Sequence, residues 1–182
     1  MTDQGVVKAG SLFPYTKSLK VYKCPADTKT SPDVSGVTVP TTRSMSMNAC
    51  MNPMAGSIGS FFGSGQGRFY RKQSDITGPS PANTFVTVDE SPGTINDGWF
   101  VCDPWFSGYP STFWVDIPAA YHGGAGGFGF ADGHAEIKKW HDGRVTMLNS
   151  PTEQPSLQPP NYDDLRWLQE RTTFPTSGTP AY

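Results

Sequence analysis

Residues 121–134, YHGGAGGFGFADGH, decide how this chain is to be read. Glycines at 123, 124, 126, 127 and 129 cannot sustain a helix, since each costs about 1 kcal/mol in a helix interior relative to alanine. Phe128 and Phe130 alternate with glycine, and Ala135 and Ile137 alternate on the far side of Asp132-Gly133. That is the pattern of a β-hairpin, with Asp-Gly supplying the two positive-φ positions of a type I′ turn. A two-residue loop pairs Ala131 with His134, Phe130 with Ala135 and Phe128 with Ile137. The expected hairpin has one apolar face and a second face carrying Gly129, His134 and Glu136.

Outward from the hairpin, the clearest further strand is 83–89, apolar at Phe85, Val86 and Val88. Residues 43–50, with Met45 and Met47 alternating, read as another, and 98–102 and 112–117 as two more. Near the start, Ser11–Lys17 predicts a turn of helix, followed by an extended KVYKC leading to Cys24-Pro25. Residues 28–42 read as a surface loop, 51–67 as a glycine-rich loop holding Phe61 and Phe62, and 68–75 as a short strand or turn. After the Pro-rich stretch 151–160, Asn161 or Asp163 can cap a helix over Asp164–Arg171, with Leu165 and Leu168 turned to the core.

Gly 20 and Pro 17 in 182 residues rule out a mainly helical chain, while 13% aromatic content argues against disorder. The expected fold is α+β: mainly antiparallel β, with long ordered loops and few short helices. Residues 1–182 read as one globular domain, with 150–182 a Pro-rich C-terminal extension. A net charge of −2 gives no basic surface for nucleic acid. The clusters Arg68–Lys72 and Lys138–Lys139 read as solvated faces. No stretch approaches the ~20 apolar residues of a membrane span, and Met1-Thr2-Asp3-Gln4 does not open a signal peptide. Cys24, Cys50 and Cys102 fit no zinc spacing. A Cys24–Cys50 bridge and three buried free thiols both remain open, the second preferred.

Five separated segments carry a resemblance. They are the His122-x9-Asp132-Gly133 spacing, LFPYTKSLKVYKCPAD (12–27), RSMSMN (43–48), FVTVDESPGTINDGWF (85–100) and DLRWLQERTT (164–173). Together they resemble the prepilin-like (pseudopilin) proteins of the H-X9-DG C-terminal type. The resemblance implies a pseudopilin-like head domain. Such a head is a non-enzymatic structural subunit of a cell-surface filament or a type II secretion-like apparatus. It also implies export by prepilin-type machinery in the full-length form, to the periplasm, cell surface or exterior. Family members begin with a leader and a long apolar helix, and this chain opens on neither. Either the sequence is cut after the helix, the preferred explanation, or the helix sits on a separate small polypeptide. The implied partners are other pilin-like subunits or that separate helix chain. No contact with membrane or nucleic acid is expected of the chain as it stands.

The polar residues of these segments form one candidate constellation: Asp89, Glu90, Asn96, Asp97, His122 and Asp132, with His134 beside them. Loop carboxylates and an Asn oxygen are ligands suited to Ca²⁺, and the major pseudopilins of secretion systems, which this family resembles, carry a structural calcium in a C-terminal loop. The alternative is a purely structural polar cluster, since Asp-Gly and Asn-Asp-Gly are ordinary turn signals. Zinc is disfavoured, because nitrogen comes from His122, His134 and His141 alone and no cysteine is near in sequence. For a hydrolase, Ser91 and His122 are present, but G-x-S-x-G and H-E-x-x-H are not. An extracellular ligand- or glycan-binding module is the remaining class, with Trp99, Trp105, Tyr109 and Trp114 as a platform. A core wall is the preferred reading of those rings.

Overall fold

The glycine-rich segment folds as a hairpin, one residue out of the expected register. The computed structural model describes residues 2–52, 67–103, 114–143, 145 and 163–175. Trp105, Tyr109, Phe61, Phe62 and the Pro-rich stretch lie outside the described residues. In the hairpin, β6 (Ala125–Phe130) pairs with β7 (Ala135–Lys139) so that Gly129 faces Ala135, Phe128 faces Glu136 and Gly127 faces Ile137. The loop is therefore Ala131-Asp132-Gly133. The Phe130 N–H donates to His134 O at 2.9 Å and the Gly133 N–H to Phe130 O at 3.0 Å. Gly133 takes φ +96°, while Asp132 keeps the ordinary sign. This is a three-residue loop closed by one left-handed glycine, in place of the expected type I′ turn. The Asp132 carboxylate favours it by accepting the His134 N–H at 3.1 Å.

A slip of one residue turns every side chain of a strand to the opposite face. His134 and Glu136 therefore share the face of Phe128 and Phe130, and Ile137 stands 60% exposed on the outside. The His134 ring stacks on Phe130 with centroids 4.3 Å apart and planes 6° from parallel. The Lys138 ammonium lies over Trp140 and Trp167 and pairs with Asp164 at 2.8 Å. Polar residues with long or flat bodies thus roof the aromatic core from the edge strand.

The main sheet has the order β5-β3-β4-β6-β7. Here β3 is Met45–Asn48, β4 is Phe85–Asp89 and β5 is Trp99–Phe100. Its pairings are antiparallel except β3 with β5. The named α-helices among the described residues are short: α1 (Gln4–Ala9), α2 (Phe13–Thr16) and α3 (Asp163–Gln169). The expected α+β class with few helices holds among the described residues. Several local expectations do not. Residues 28–42 contain a ribbon, β1 (Thr30–Pro32) with β2 (Thr38–Pro40), closed by Gly36 at φ +82° and the Asp33 carboxylate. The KVYKC segment holds a 3₁₀ turn, Leu19–Tyr22, in place of an extended run. Residues 114–117 bend without joining a named strand, and α1, capped by Asp3, forms where the sequence predicts no helix.

The core sits on one face of the sheet. Phe85 is at its centre, edge-on to Phe100 and Phe128, with Val88, Trp140, Leu165 and Leu168 around it. Trp114 and Ile117 close one side, so Trp114 belongs to a core wall. The opposite face carries a smaller cluster of Cys50, Met51, Tyr70 and Ile76, with Met47 and Trp99 against it. All three cysteines are buried and free, and no Cys24–Cys50 bridge forms.

Two measurements test this hairpin. Replacing Gly133 by Val forces a β-branched residue to positive φ and should cost about 1–3 kcal/mol. A melting temperature unchanged from the parent would contradict the loop. The register predicts unequal partners: Phe128→Ala should cost about 3–5 kcal/mol, whereas Ile137→Asn should stay within about 1 kcal/mol. Equal losses by denaturant titration would restore the expected pairing of these two residues.

Candidate functional site

Successive residues of a strand point to opposite faces, so the adjacent acids at the end of β4 part company. Asp89 turns to the face of Gly127, and Glu90 to the face of the aromatic core. A Cβ on Gly127 would lie 2.9 Å from Asp89 Oδ2, so glycine at that position is what gives the carboxylate its seat. The Gly127 N–H donates to the same oxygen at 3.2 Å. Asp89 is 4% exposed, and its Oδ1 has no hydrogen-bond partner.

His122 enters from the turn before β6, where Gly123 (φ +63°) and Gly124 (φ +84°) allow the chain to reverse. Its Nε2 lies 3.4 Å from Asp89 Oδ2 and 3.5 Å from Cys24 Sγ. Cys24 comes from the far end of the sequence. Its backbone N–H donates to Ser44 Oγ at 2.7 Å, and its C=O accepts from the Asp27 N–H at 3.0 Å, which fixes the Cys-Pro turn against the start of β3. The three donor atoms, Sγ, a carboxylate oxygen and a ring nitrogen, all lie within 4.8 Å of one another. The imidazole remains 35% exposed, so the cluster opens to solvent on that side.

Desolvation raises the Asp89 carboxyl above its ordinary range, opposed by the Gly127 N–H and His122. Burial likewise raises the Cys24 thiol, and the neighbouring charges of Asp89 and Asp27 add to the rise. Asp27 is itself paired with Lys23 at 3.3 Å and accepts from the Lys29 N–H and the Thr41 hydroxyl.

A thiol–imidazole–carboxylate relay needs the acid on one ring nitrogen and the nucleophile on the other. Here both approach Nε2, so the three do not form such a relay. They bring a sulfur, a nitrogen and an oxygen donor to one point.

Of the six residues expected to cluster, the structure brings Asp89 and His122 together. Glu90 lies on the other face of the strand, fully buried. Asn96 is exposed on the side of the sheet where α1 lies. Asp97 caps its own turn by accepting the Trp99 N–H at 2.8 Å. Asp132 sits at the tip of the hairpin, paired with His134 at 2.6 Å, while His122 precedes the opposite end of β6. The oxygen-rich shell preferred by Ca²⁺ is not assembled by this set. Cys24, which joins them instead, lies 98 positions from His122 and escapes a reading by spacing. Its occurrence in one of the five resembling segments is the signal the sequence offers.

Glu90 is a separate feature. Desolvation, reinforced by the charge of Asp116, pushes its carboxyl up to about 8, opposed by the Ser46 and Thr94 hydroxyls and by Arg43. The Tyr121 hydroxyl donates to its backbone carbonyl at 3.3 Å. On the outer face, α1 and α2 form with Met45, Met47 and Thr87 an apolar groove of about 790 Å³. Trp99 packs half-buried against the cluster of Cys50, Met51 and Tyr70, so the described rings make no open platform.

No family model matches this sequence, and neither a curated protein nor a solved structure matches it.

The Glu90 carboxyl fixes a pH dependence. Its folded value lies above its unfolded one, so the folded state holds the extra proton. Stability from this group is present below about 4.5 and is lost as pH rises through about 8. Glu90→Gln should remove that component. In denaturant titrations at pH 5 and pH 9, the variant should gain on the parent as pH rises. A constant difference between the two would overturn the assignment.

Proposed function

We propose that this chain is the globular head of a pseudopilin-like structural subunit, without enzymatic activity, displayed on a cell-surface filament or a type II secretion-like apparatus. One observation supports the reading: the five segments that carry the resemblance interlock around β4. Ser44 of RSMSMN accepts from the Cys24 N–H of the CPAD segment, and its C=O accepts from the Glu90 N–H at 2.8 Å. Asn48 donates to Phe85 O at 2.9 Å and to Thr172 O of the last segment at 2.8 Å. The Phe85 N–H donates to Arg171 O at 3.1 Å, and His122 meets Cys24 and Asp89. Motifs far apart in sequence thus serve one packing arrangement, as expected of a scaffold whose role is to hold its shape. Among the described residues no helix is long and apolar enough to cross a membrane. Filament placement in this reading runs through contacts with other pilin-like subunits. Export, in the same reading, puts the head outside the cytoplasm.

Shearing surface filaments from the source cells, then cross-linking and mass spectrometry, tests the proposal. This chain should be recovered linked to proteins with prepilin-type helices. Recovery wholly in the cytosolic fraction would end the reading. An extracellular ligand-binding module is the second reading, favoured by the apolar groove beside Met45 and Met47. Saturable binding of a small apolar ligand, abolished by Met47→Glu, would move the assignment there.

A further inference from the structure

We infer that Cys24, Asp89 and His122 bind a divalent ion of the zinc class, with one coordination position left for water or an outside ligand. The inference rests on this geometry and stands independently of the filament reading.

The first argument is distance. Tetrahedral zinc has bonds of about 2.3 Å to sulfur, 2.0–2.1 Å to nitrogen and 2.0 Å to carboxylate oxygen, so its ligand atoms stand about 3.6 Å (S to N) and 3.3 Å (N to O) apart. The chain holds Cys24 Sγ at 3.5 Å and Asp89 Oδ2 at 3.4 Å from His122 Nε2.

The second argument is hydrogen-bond capacity. A ring nitrogen carries one proton or one lone pair, yet Nε2 faces two acidic partners. A thiol and a carboxylate crowded onto one nitrogen leave the cluster short of positive charge, and Asp89 Oδ1, on a side chain almost wholly buried, has no partner at all. Neighbouring cations are engaged with other groups, Lys23 with Asp27, Lys29 with the Pro92 carbonyl and Lys139 with the Gly123 carbonyl. A divalent ion with one thiolate, one carboxylate and one neutral imidazole makes a site of zero net charge. Binding expels the thiol proton, and any proton on Asp89 or second proton on His122, to solvent.

The third argument is preorganisation. Each ligand residue is anchored through a separate hydrogen bond. The Cys24 N–H donates to Ser44 Oγ, Asp89 accepts from the Gly127 N–H, and the His122 backbone N–H donates to Ala125 O at 3.1 Å. The Gly127 N–H on Asp89 is an outer partner of the kind that orients metal ligands, and the other two bonds fix the backbone that carries Cys24 and His122. Sulfur and nitrogen donors select a borderline ion over Ca²⁺, which prefers oxygen. Bound there, the ion ties the Cys-Pro turn, the end of β4 and the entrance to the glycine-rich hairpin at one point.

The test uses the full chain, stripped with a chelator and dialysed against Zn²⁺, Ca²⁺ or Co²⁺. One equivalent of Zn²⁺ should bind, with a rise in melting temperature, and Ca²⁺ should not bind at the same concentrations. Cys24→Ser and His122→Gln should each weaken Zn²⁺ binding at least tenfold, whereas His134→Gln at the hairpin tip should not. The Co²⁺ form of the parent should show tetrahedral visible bands and a thiolate charge-transfer band, a readout that does not depend on any variant folding. Absence of stoichiometric Zn²⁺, binding that survives both ligand substitutions, or a Co²⁺ spectrum without the thiolate band would each overturn the site.

Discussion

The arrangement of this sheet depends on the empty side of β6. Gly127 and Gly129 face the flank of β4 where Thr87 and Asp89 project, and a Cβ at the two positions would come within 2.9 Å and 2.7 Å of those side chains. Beside Thr87 and Asp89, β6 therefore offers backbone alone on that face, and the polar side chains of β4 lie across it. On the opposite face the same strand contributes Phe128 and Phe130 to the core. Such a strand has low propensity, since glycine loses more conformational freedom on folding than any other residue. It is held between two neighbours that supply the missing contacts, and the rings of Phe128 and Phe130 anchor it from below.

Much of this was legible in the residues. The alternation of Phe and Gly, the Asp-Gly dipeptide, the apolar run at Phe85–Val88 and the Leu165–Leu168 pair each mark an element that exists. The register was not legible, because Asp-Gly serves both a two-residue type I′ loop and a three-residue loop closed by one left-handed glycine. Ala135 and Ile137 mimic an inward alternation. What decides against them is tertiary: β7 is an edge strand, and His134 and Lys138 roof the aromatic core with their ring and stem better than the short Ala135 can. The β1–β2 ribbon was hidden for another reason. Its strands are three residues each, built of Thr, Ser, Val and Pro, and its turn is set by Asp33 side-chain bonds and by Gly36.

The site was half legible. Asp89 and His122 stand out by motif, but grouping Asp89 with Glu90 overlooks the period of two in a strand, which separates them onto opposite faces. Asn96, Asp97 and Asp132 are polar because turns need them, as their own backbone-directed hydrogen bonds attest for the two aspartates. Cys24 could not be placed by spacing, since its partners are brought to it by the sheet. Only the order β3-β4-β6, with the Cys-Pro turn fastened to Ser44, makes them neighbours.

Two buried acids in succession are a costly feature for any chain, and the two ends of that problem are handled differently here. Glu90 faces hydroxyls of Ser46 and Thr94 and the partly buried Arg43, with Asp116 opposing ionisation, and the outcome is a carboxyl that keeps its proton near neutrality. Asp89 has one backbone N–H, one imidazole and a thiol across the ring nitrogen, with an oxygen left over. Apolar residues at either position would remove the desolvation penalty outright, and the sheet around them is well able to bury such residues, as Phe85 and Val88 of the same strand show. Carboxyls in both places therefore make sense only where each has a partner that an apolar side chain cannot hold. For Glu90 that partner is the proton it retains. For Asp89 the surrounding donors are too few for a lone carboxylate, and its oxygen and the Cys24 sulfur lie 3.4 Å and 3.5 Å from one imidazole nitrogen, the arrangement of ligands shared by one ion.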